Sequence, residues 1–200
     1  MTHPPIAILI LAAGQSSRMR GADKMLEIVD GHPLIRRQAI VALATGLPVW
    51  LALPPDRPLR RQALQNLGVT LIEVKDAARG LSFSISAGNA AVPVEMSIIL
   101  WLADLPEITA DDFGLLVRAA QSAPDAIVRA TTEAGKPGHP VLFPPNLRGE
   151  LAGLVGDTGA RGVLLAYETA TVFVPLPANR ALTDLDTPED WAAWRTAKEA

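Results

Sequence analysis

The chain of 200 residues is expected to fold as an α/β protein, with a mostly parallel sheet covered by helices on both faces. Short apolar segments alternate along it with amphipathic ones, which is typical of strand–helix–strand units. Several apolar segments lack the polar residues of a solvated face, and strands buried on both sides are typical of parallel sheets. The length suits one compact domain, so residues 1–200 are treated as a single domain.

Six apolar segments are predicted to be the strands of this sheet. The first is too short to cross a bilayer, and no Lys or Arg precedes it as in a secretory signal, so it is expected to be a buried strand. The predicted strands are Ile6–Ala12, Val49–Leu53, Val69–Val74, Ser97–Ala103, Ala126–Ala130 and Thr171–Leu176.

The amphipathic segments between these strands are predicted to be helices. Proline pairs at Pro54-Pro55 and Pro144-Pro145 mark joints, and Thr131–Pro140, which is rich in small and turn-forming residues, is predicted to be a loop. The predicted helices are Leu34–Ala44, Pro58–Leu67, Phe83–Ala91, Ala110–Ser122, Asn146–Leu154, Ala160–Tyr167 and Pro188–Glu199.

The composition excludes several classes of function. Apolar residues make up 49% of the chain, charged residues 20%, and the net charge is −3, which fits a globular protein without affinity for nucleic acid or membrane. Cysteine is absent, which rules out disulfides, thiolate metal sites and cysteine nucleophiles. The expected compartment is the reducing cytoplasm.

The loop after the first strand is the first candidate binding site, because ligands in such sheets bind beyond the carboxyl ends of strands. It contains neither the Gly-x-Gly-x-x-Gly of dinucleotide sites nor a P-loop. Gly14 allows close backbone approach, and loop amides with Arg18 and Lys24 would suit a polyphosphate. On chemistry alone, a turn glycine with solvated charges explains the loop equally well.

The loop sequence Leu11-Ala12-Ala13-Gly14-Gln15-Ser16-Ser17-Arg18-Met19-Arg20-Gly21-Ala22-Asp23-Lys24 resembles the Leu-Ala-Ala-Gly-x-Ser-x-Arg-Met-Gly-x-x-Lys signature of MobA-like nucleotidyltransferases. The resemblance implies a Rossmann-like three-layer αβα sandwich of the nucleotide-diphospho-sugar transferase type. It also implies that Leu11 to Gly14 wrap a nucleoside triphosphate and that Arg18 and Lys24 act in catalysis. Arg20 precedes Gly21 here, whereas many members have glycine directly after the methionine.

A second segment, Gly80–Gly88, resembles the family segment that contacts the nucleoside. The resemblance implies nucleotide contacts by Ser82 or Ser84, with Asp76 as a weaker candidate just upstream. Ser82 would also serve as the N-cap of a helix, and the two roles are compatible.

Two carboxylates are the candidate metal ligands. Asp104 follows an apolar strand, where a charge without a partner is costly. Hydrogen bonds from local backbone amides could compensate this charge without any metal. The resemblance makes Asp104 a ligand of Mg²⁺ and Asp186 the second, with Asp184 as its local rival; oxygen ligands suit this cation. Thr187 and Pro188 are predicted to be the N-cap and first residue of the last helix.

Two further segments, Gly138-His139-Pro140-Val141 and Gly156–Arg161, resemble the branch that attaches CMP to the molybdenum–pterin cofactor. The resemblance implies that His139 and Arg161 contact the acceptor. Arg161 could also be a surface or capping residue, and His139 lacks the neighbouring ligands of a zinc site.

The expected function is therefore a molybdenum cofactor cytidylyltransferase, which uses CTP and molybdenum–molybdopterin as substrates and Mg²⁺ as cofactor. CTP is expected because guanylyl relatives commonly have glycine where Ala13 stands. Transient contact with a molybdenum hydroxylase or its maturation chaperone is also expected. The alternatives are a guanylyl- or sugar-phosphate nucleotidyltransferase on the same scaffold, or a non-catalytic carrier of the finished cofactor.

Overall fold

The first strand, β1 (Ile6–Leu11), lies inside the sheet because both of its faces are apolar. In the computed structural model, which describes residues 3–199, Ala7, Leu9 and Leu11 pack into one core and Ile8 and Ile10 into the other. The alternation of a strand therefore delivers apolar side chains to both helical layers. Such a strand must be covered on both sides, as the sequence predicts.

The described residues form nine strands and seven α-helices. The strands are β1, β2 (Ile28–Val29), β3 (His32–Pro33), β4 (Val49–Leu53), β5 (Thr70–Glu73), β6 (Ser97–Leu102), β7 (Ile127–Thr131), β8 (Pro137–Phe143) and β9 (Thr171–Pro175). The helices are α1 (Leu34–Leu43), α2 (Pro58–Ala63), α3 (Leu81–Ala91), α4 (Ala110–Ser122), α5 (Gly149–Ala152), α6 (Arg161–Ala166) and α7 (Pro188–Glu199).

Seven strands form one sheet in the order β5-β4-β1-β6-β8-β7-β9, and β2 and β3 form a separate antiparallel pair. Every pairing in the large sheet is parallel except the two made by β8. Helices α1, α4 and α7 cover one face, and α3, α5 and α6 cover the other. The predicted Rossmann-like αβα sandwich is confirmed, and the six predicted strands are present with ends shifted by at most one residue.

The prediction of a loop at Thr131–Pro140 is wrong in its second half. Pro137–Phe143 is β8, which inserts antiparallel between β6 and β7. Its apolar end, Val141 to Phe143, is buried, and Gly135 makes the turn from β7 at a φ of +82°. Two prolines and a glycine conceal this strand in the sequence, because these residues indicate turns when sequence neighbours alone are considered.

Three helix predictions also need correction. Of the predicted helix Pro58–Leu67, only Pro58–Ala63 is helical. The segment Asn146–Leu154 contains a 3-10 turn and the short α5 rather than one helix. Gly80, not Ser82, is the N-cap residue of α3. Gly80 has a φ of +127°, and an added Cβ would lie 2.5 Å from the Gly156 carbonyl oxygen. Close contact with a distant loop thus determines where this helix begins.

None of the helices in residues 3–199 has the length and apolar character needed to span a membrane.

A close backbone contact attaches the chain before α7 to β8. The His139 N–H donates to the Ala181 carbonyl at 2.9 Å, and a Cβ on Gly138 would lie 2.1 Å from that same oxygen. Only glycine fits here without displacing the segment that leads to Asp186.

Gly138→Ala is therefore expected to lower the free energy of unfolding by about 1–3 kcal/mol, as overpacking typically does. Gly149→Ala is the matched control, because the added Cβ has no described atom within 4 Å apart from its chain neighbours and the backbone of its own helix, and the residue begins α5. Urea denaturation of the two variants measures the difference. Equal stability of the two would contradict the proposed contact.

Candidate active site

The site begins where β1 and β6 end side by side. Leu11 is paired with Leu102, and the Ala103 N–H donates to the Leu11 carbonyl at 3.2 Å. The loop after β1 and the loop that carries Asp104 therefore leave the sheet at the same edge. Parallel strands make this unavoidable, because their carboxyl ends coincide.

The loop after β1 contains two 3-10 turns, Ser17–Met19 and Lys24–Leu26. Met19 and Met25 are buried and anchor the turns to the core. Between them, Arg20 adopts a left-handed conformation (φ 53°, ψ 39°), which glycine favours. Gly21 also has a positive φ, of +97°, so the one-residue departure from the family signature falls in a turn where two successive residues have positive φ.

Lys24 brings the two candidate metal ligands together. Its Nζ donates to Asp104 Oδ2 at 2.6 Å and to Asp186 Oδ1 at 2.7 Å, and all three side chains are largely buried. Burial opposes the charged form of Lys24, but the charges and hydrogen bonds of both carboxylates outweigh it and raise the lysine pKa. Arg18, which is mostly exposed, contacts Asp186 Oδ2 at 2.7 Å.

The carboxylate of Asp186 reaches the site through backbone contacts. The Leu185 N–H donates to the Asp104 carbonyl at 3.2 Å, which aligns the two acidic segments. Thr187 and Asp190 cap α7 reciprocally, with Asp190 Oδ2 accepting from the Thr187 N–H at 2.8 Å and Thr187 Oγ1 accepting from the Asp190 N–H at 3.1 Å. The predicted capping role of Thr187 is confirmed. Asp184 lies nearby, and burial together with the charges of Asp104 and Asp186 raises its pKa.

The residues at this point fit a hard divalent cation. Two carboxylates from separate segments converge within hydrogen-bond distance of one atom, and Asp104 Oδ1 is buried without a hydrogen-bond partner among residues 3–199. In that part of the chain no group of three or more His, Cys, Asp or Glu side chains is arranged to hold a metal. This donor set suits Mg²⁺, which protein sites commonly bind through one or two carboxylates plus substrate phosphates and water.

A cavity of about 410 Å³ lies beside the loop after β1. Ala13 and Gly14 are among its lining residues, and an added Cβ on Gly14 would have no atom within 4 Å among the described residues other than its own and those of its chain neighbours. Ser84 also lines this cavity, whereas the Ser82 hydroxyl donates to the Val155 carbonyl at 3.2 Å. The structure thus brings Ser84, rather than Ser82, to the cavity.

Other residues of this cavity depart from the sequence-based expectations. Asp76 is exposed, pairs with Arg79 at 3.4 Å and does not line the cavity, although the four residues after it do. Asp157 lines the cavity and accepts from the Leu81 N–H at 3.1 Å, at the start of α3. It was missed as a residue of this site because its partner is 76 positions away.

A second cavity, of about 290 Å³, has mostly apolar walls and contains three basic side chains: Arg129, His139 and Arg161. His139 and Arg161 are the residues predicted to contact the acceptor. Arg129 was missed; its Nε donates to the Gly138 carbonyl at 3.1 Å. A single arginine in an otherwise apolar strand was the signal that could have revealed it.

His139 is held in its neutral form. Burial and the charge of Arg129 lower its pKa to about 4, and its Nδ1 is a buried atom without a hydrogen-bond partner in the described part of the chain. A neutral imidazole can either donate or accept a hydrogen bond, which suits contact with a polar heterocycle.

The two cavities share lining residues with a smaller cavity at Lys24 and Asp104. Leu11 and Leu81 line the two larger cavities and the smaller one. A ligand in either cavity can therefore direct a group toward the same point.

This fold and this arrangement define a nucleotidyltransferase, a class of α/β enzymes whose substrates meet at the carboxyl ends of parallel strands. The chain belongs to the MobA-like NTP transferase family, whose model matches residues 8–171.

Curated relatives and solved structures agree with this assignment. A Natronomonas pharaonis protein named "Probable molybdenum cofactor guanylyltransferase" is 28% identical over 189 residues, which cover 91% of this chain and 93% of that protein. A protein of the same name from Synechococcus elongatus is 29% identical over 192 residues, covering 94% and 96%. The crystal structure of Rv0371c from Mycobacterium tuberculosis H37Rv superposes with a TM-score of 0.84 at 26% identity, covering 96% and 98%. Rv0371c is also known in complex with manganese.

The lowered pKa of His139 has a consequence for stability. Between pH 6.5 and about 4 the unfolded chain binds a proton at this residue that the folded protein does not. The free energy of unfolding should therefore fall as the pH falls through this window. His139→Gln is expected to flatten that part of the curve, measured by urea denaturation from pH 7 to 4. Substitution of the exposed His32 by Gln is the control and should leave the slope unchanged; the same slope in His139→Gln would contradict the interpretation.

Proposed function

We propose that this protein transfers CMP from CTP to the terminal phosphate of molybdenum–molybdopterin, releasing pyrophosphate. An oxygen of the acceptor phosphate bonds to the α-phosphorus of CTP, and the bond from that phosphorus to the bridging oxygen of the β-phosphate breaks. The products are the cytosine dinucleotide cofactor and pyrophosphate.

The observation that carries this proposal is that two cavities share lining residues with a third that contains Lys24 and Asp104, and that Asp186 bonds the same lysine. Transfer between two phosphates needs both substrates to face a shared point where their charges are screened. The Lys24 ammonium and the Arg18 guanidinium supply positive charge there. A carrier that only holds a finished cofactor has no need for convergent carboxylates, so this geometry favours an enzyme.

The chemistry assigned to this chain's residues is binding and orientation. An acceptor phosphate is already anionic near neutral pH, so neither a protein nucleophile nor a general base is required. In the proposal Gly14 admits the triphosphate close to the loop backbone, and Lys24 neutralises charge near the α-phosphate. Asp104 and Asp186 would hold Mg²⁺, which when bound supplies further positive charge for the phosphoryl oxygens.

The second cavity is proposed to hold the pterin part of the acceptor. Its apolar walls suit a flat ring system, while Arg129 and Arg161 suit the anionic groups attached to such a ring. The neutral His139 provides a hydrogen bond to a ring heteroatom. This assignment leaves the acceptor's phosphate directed toward Lys24.

Two candidate functions differ in the nucleotide substrate, which is CTP in one and GTP in the other. Ala13 lines the first cavity, and in the proposal its methyl group reduces the space for a purine, which favours CTP. The curated relatives described above are named as guanylyltransferases, which favours GTP. Both candidates use the same scaffold and the same acceptor.

Pyrophosphate release with each of the four nucleoside triphosphates, in the presence of molybdenum–molybdopterin, tests the proposal. CTP is expected to be preferred, and Ala13→Gly is expected to reduce the preference over GTP, because removing the methyl group widens the cavity. Predominant formation of the guanine dinucleotide by the unaltered protein would overturn the choice of CTP. Release with none of the four would overturn the proposed activity as a whole.

Asp104→Asn is expected to lower turnover by about 100- to 1000-fold and to raise the Mg²⁺ concentration needed for half-maximal rate. Asparagine keeps the shape and the backbone contact to Leu185 but lacks the charge that binds a cation. Initial rates are measured across a titration of Mg²⁺, and of Mn²⁺ in parallel because of the manganese complex of Rv0371c. The control is Asp125→Asn at an exposed position before β7; if both variants respond alike, the metal role of Asp104 is refuted.

A further inference from the structure

Arg60, on the short helix α2, is fully buried although it is charged. Its Nε and one terminal nitrogen donate to the two oxygens of Asp23, each at 2.8 Å, in the two-pronged geometry that guanidinium and carboxylate favour. The other terminal nitrogen donates to the Ala12 carbonyl at 2.6 Å, and a further bond reaches Ser16 Oγ at 3.2 Å.

The three partners of Arg60 all belong to the loop after β1. Ala12 is the first residue beyond the strand, Ser16 lies midway in a left-handed conformation, and Asp23 directly precedes Lys24. One side chain therefore joins the beginning, middle and end of the loop. Gly14, which lines the first cavity, lies between the first two of these points.

The same network reaches the backbone of Lys24. Ser16 Oγ accepts from the Lys24 N–H at 3.3 Å and donates to Asp23 Oδ1 at 3.3 Å. That carboxylate oxygen also accepts from the Met25 N–H at 3.0 Å, which caps the 3-10 turn that begins at Lys24. The position of the lysine backbone thus depends on groups that Arg60 holds.

We infer that Arg60 is a positioning residue that sets the loop after β1 in its nucleotide-binding conformation and acts through Lys24. The inference rests on the proposed function, because it assigns the triphosphate to this loop. Arg60 lines none of the three cavities that the described residues form, so its effect on a ligand must be indirect.

The alternative is that Arg60 serves stability alone. A buried ion pair is a costly way to stabilise a core, because desolvation of both charges offsets much of their attraction. An arginine does, however, fix geometry, because its guanidinium is rigid and planar and has five N–H donors. One such side chain can therefore hold three groups of the loop in fixed positions. Burial acts to raise the pKa of Asp23, but the hydrogen bond and charge of Arg60 lower it, so the carboxylate stays ionised.

Two quantities are measured for each variant. The affinity for CTP and for GTP is measured by isothermal titration calorimetry in the presence of Mg²⁺, and the melting temperature is measured in parallel. Arg60→Lys keeps the charge but loses the fork, and is expected to weaken binding of the preferred nucleotide about tenfold, the effect of roughly one lost charge-assisted hydrogen bond. Ser16→Ala, which removes the hydroxyl bonded to the Lys24 N–H, is expected to act in the same direction and keeps the test open if Arg60→Lys does not fold.

Arg148→Lys is the matched control. Arg148 is also buried and donates to the carbonyls of Asn89, Val92, Pro93 and Met96, at the amino end of β6 and away from the loop. Arg148→Lys should lower the melting temperature as Arg60→Lys does, but its nucleotide affinity should stay within about twofold of that of the unaltered protein.

A double-mutant cycle with Lys24→Ala separates positioning from stability. If Arg60 acts through Lys24, Arg60→Lys should cost less than about twofold in affinity once the lysine is absent. An equal loss in both backgrounds, or unchanged affinity in the single variant, would overturn the inference. If the unaltered protein binds neither nucleotide, the proposed function fails instead, and that result is distinct from the others.

Discussion

The pairing of β1 with β6 is the contact on which the rest of the site depends. These two buried parallel strands end level with one another, so that the loop containing Gly14 and the loop containing Asp104 leave the sheet together. A shift of β1 against β6 by one residue would move each of its side chains to the opposite face of the sheet and would displace the two loops from one another. The apolar core and the polar site are therefore set by the same alignment.

The antiparallel strand β8 extends this site to a second cavity. Because it runs opposite to its neighbours, it starts at the sheet edge where the parallel strands end, and Gly138 and His139 lie near that edge. The same two residues make the close contact with Ala181 that leads the chain back toward Asp186. One inserted strand thus supplies part of the second cavity and supports the segment that leads to Asp186.

The ion pairs around the loop after β1 differ in burial and therefore in how they affect the stability of the fold. The ion pair of Arg20 with Glu189 is exposed on both sides and contributes little stability, and Arg18 contacts Asp186 with a side chain that is mostly exposed. Arg60 with Asp23, and Lys24 with its two carboxylates, are largely buried, and such pairs are tolerated because each charge has close partners. The buried pairs surround the loop that the proposed function assigns to nucleotide.

The sequence by itself determined the alternation of strands and helices, because a strand covered on both faces must be continuously apolar and is visible as such. Local motifs that resemble those of the family also predicted Lys24, Asp104 and Asp186 as site residues, and the structure brings their side chains together. Only the tertiary structure decided that Ser84 rather than Ser82 lines the first cavity and that Asp157 and Arg129 line the first and second cavities. The same holds for the bonds of Arg60 to the loop after β1. Partners far apart in the chain meet through packing of the sheet and helices, and short-range patterns contain no record of such contacts. The strand β8 was hidden for the same reason, since its place depends on the two strands that flank it.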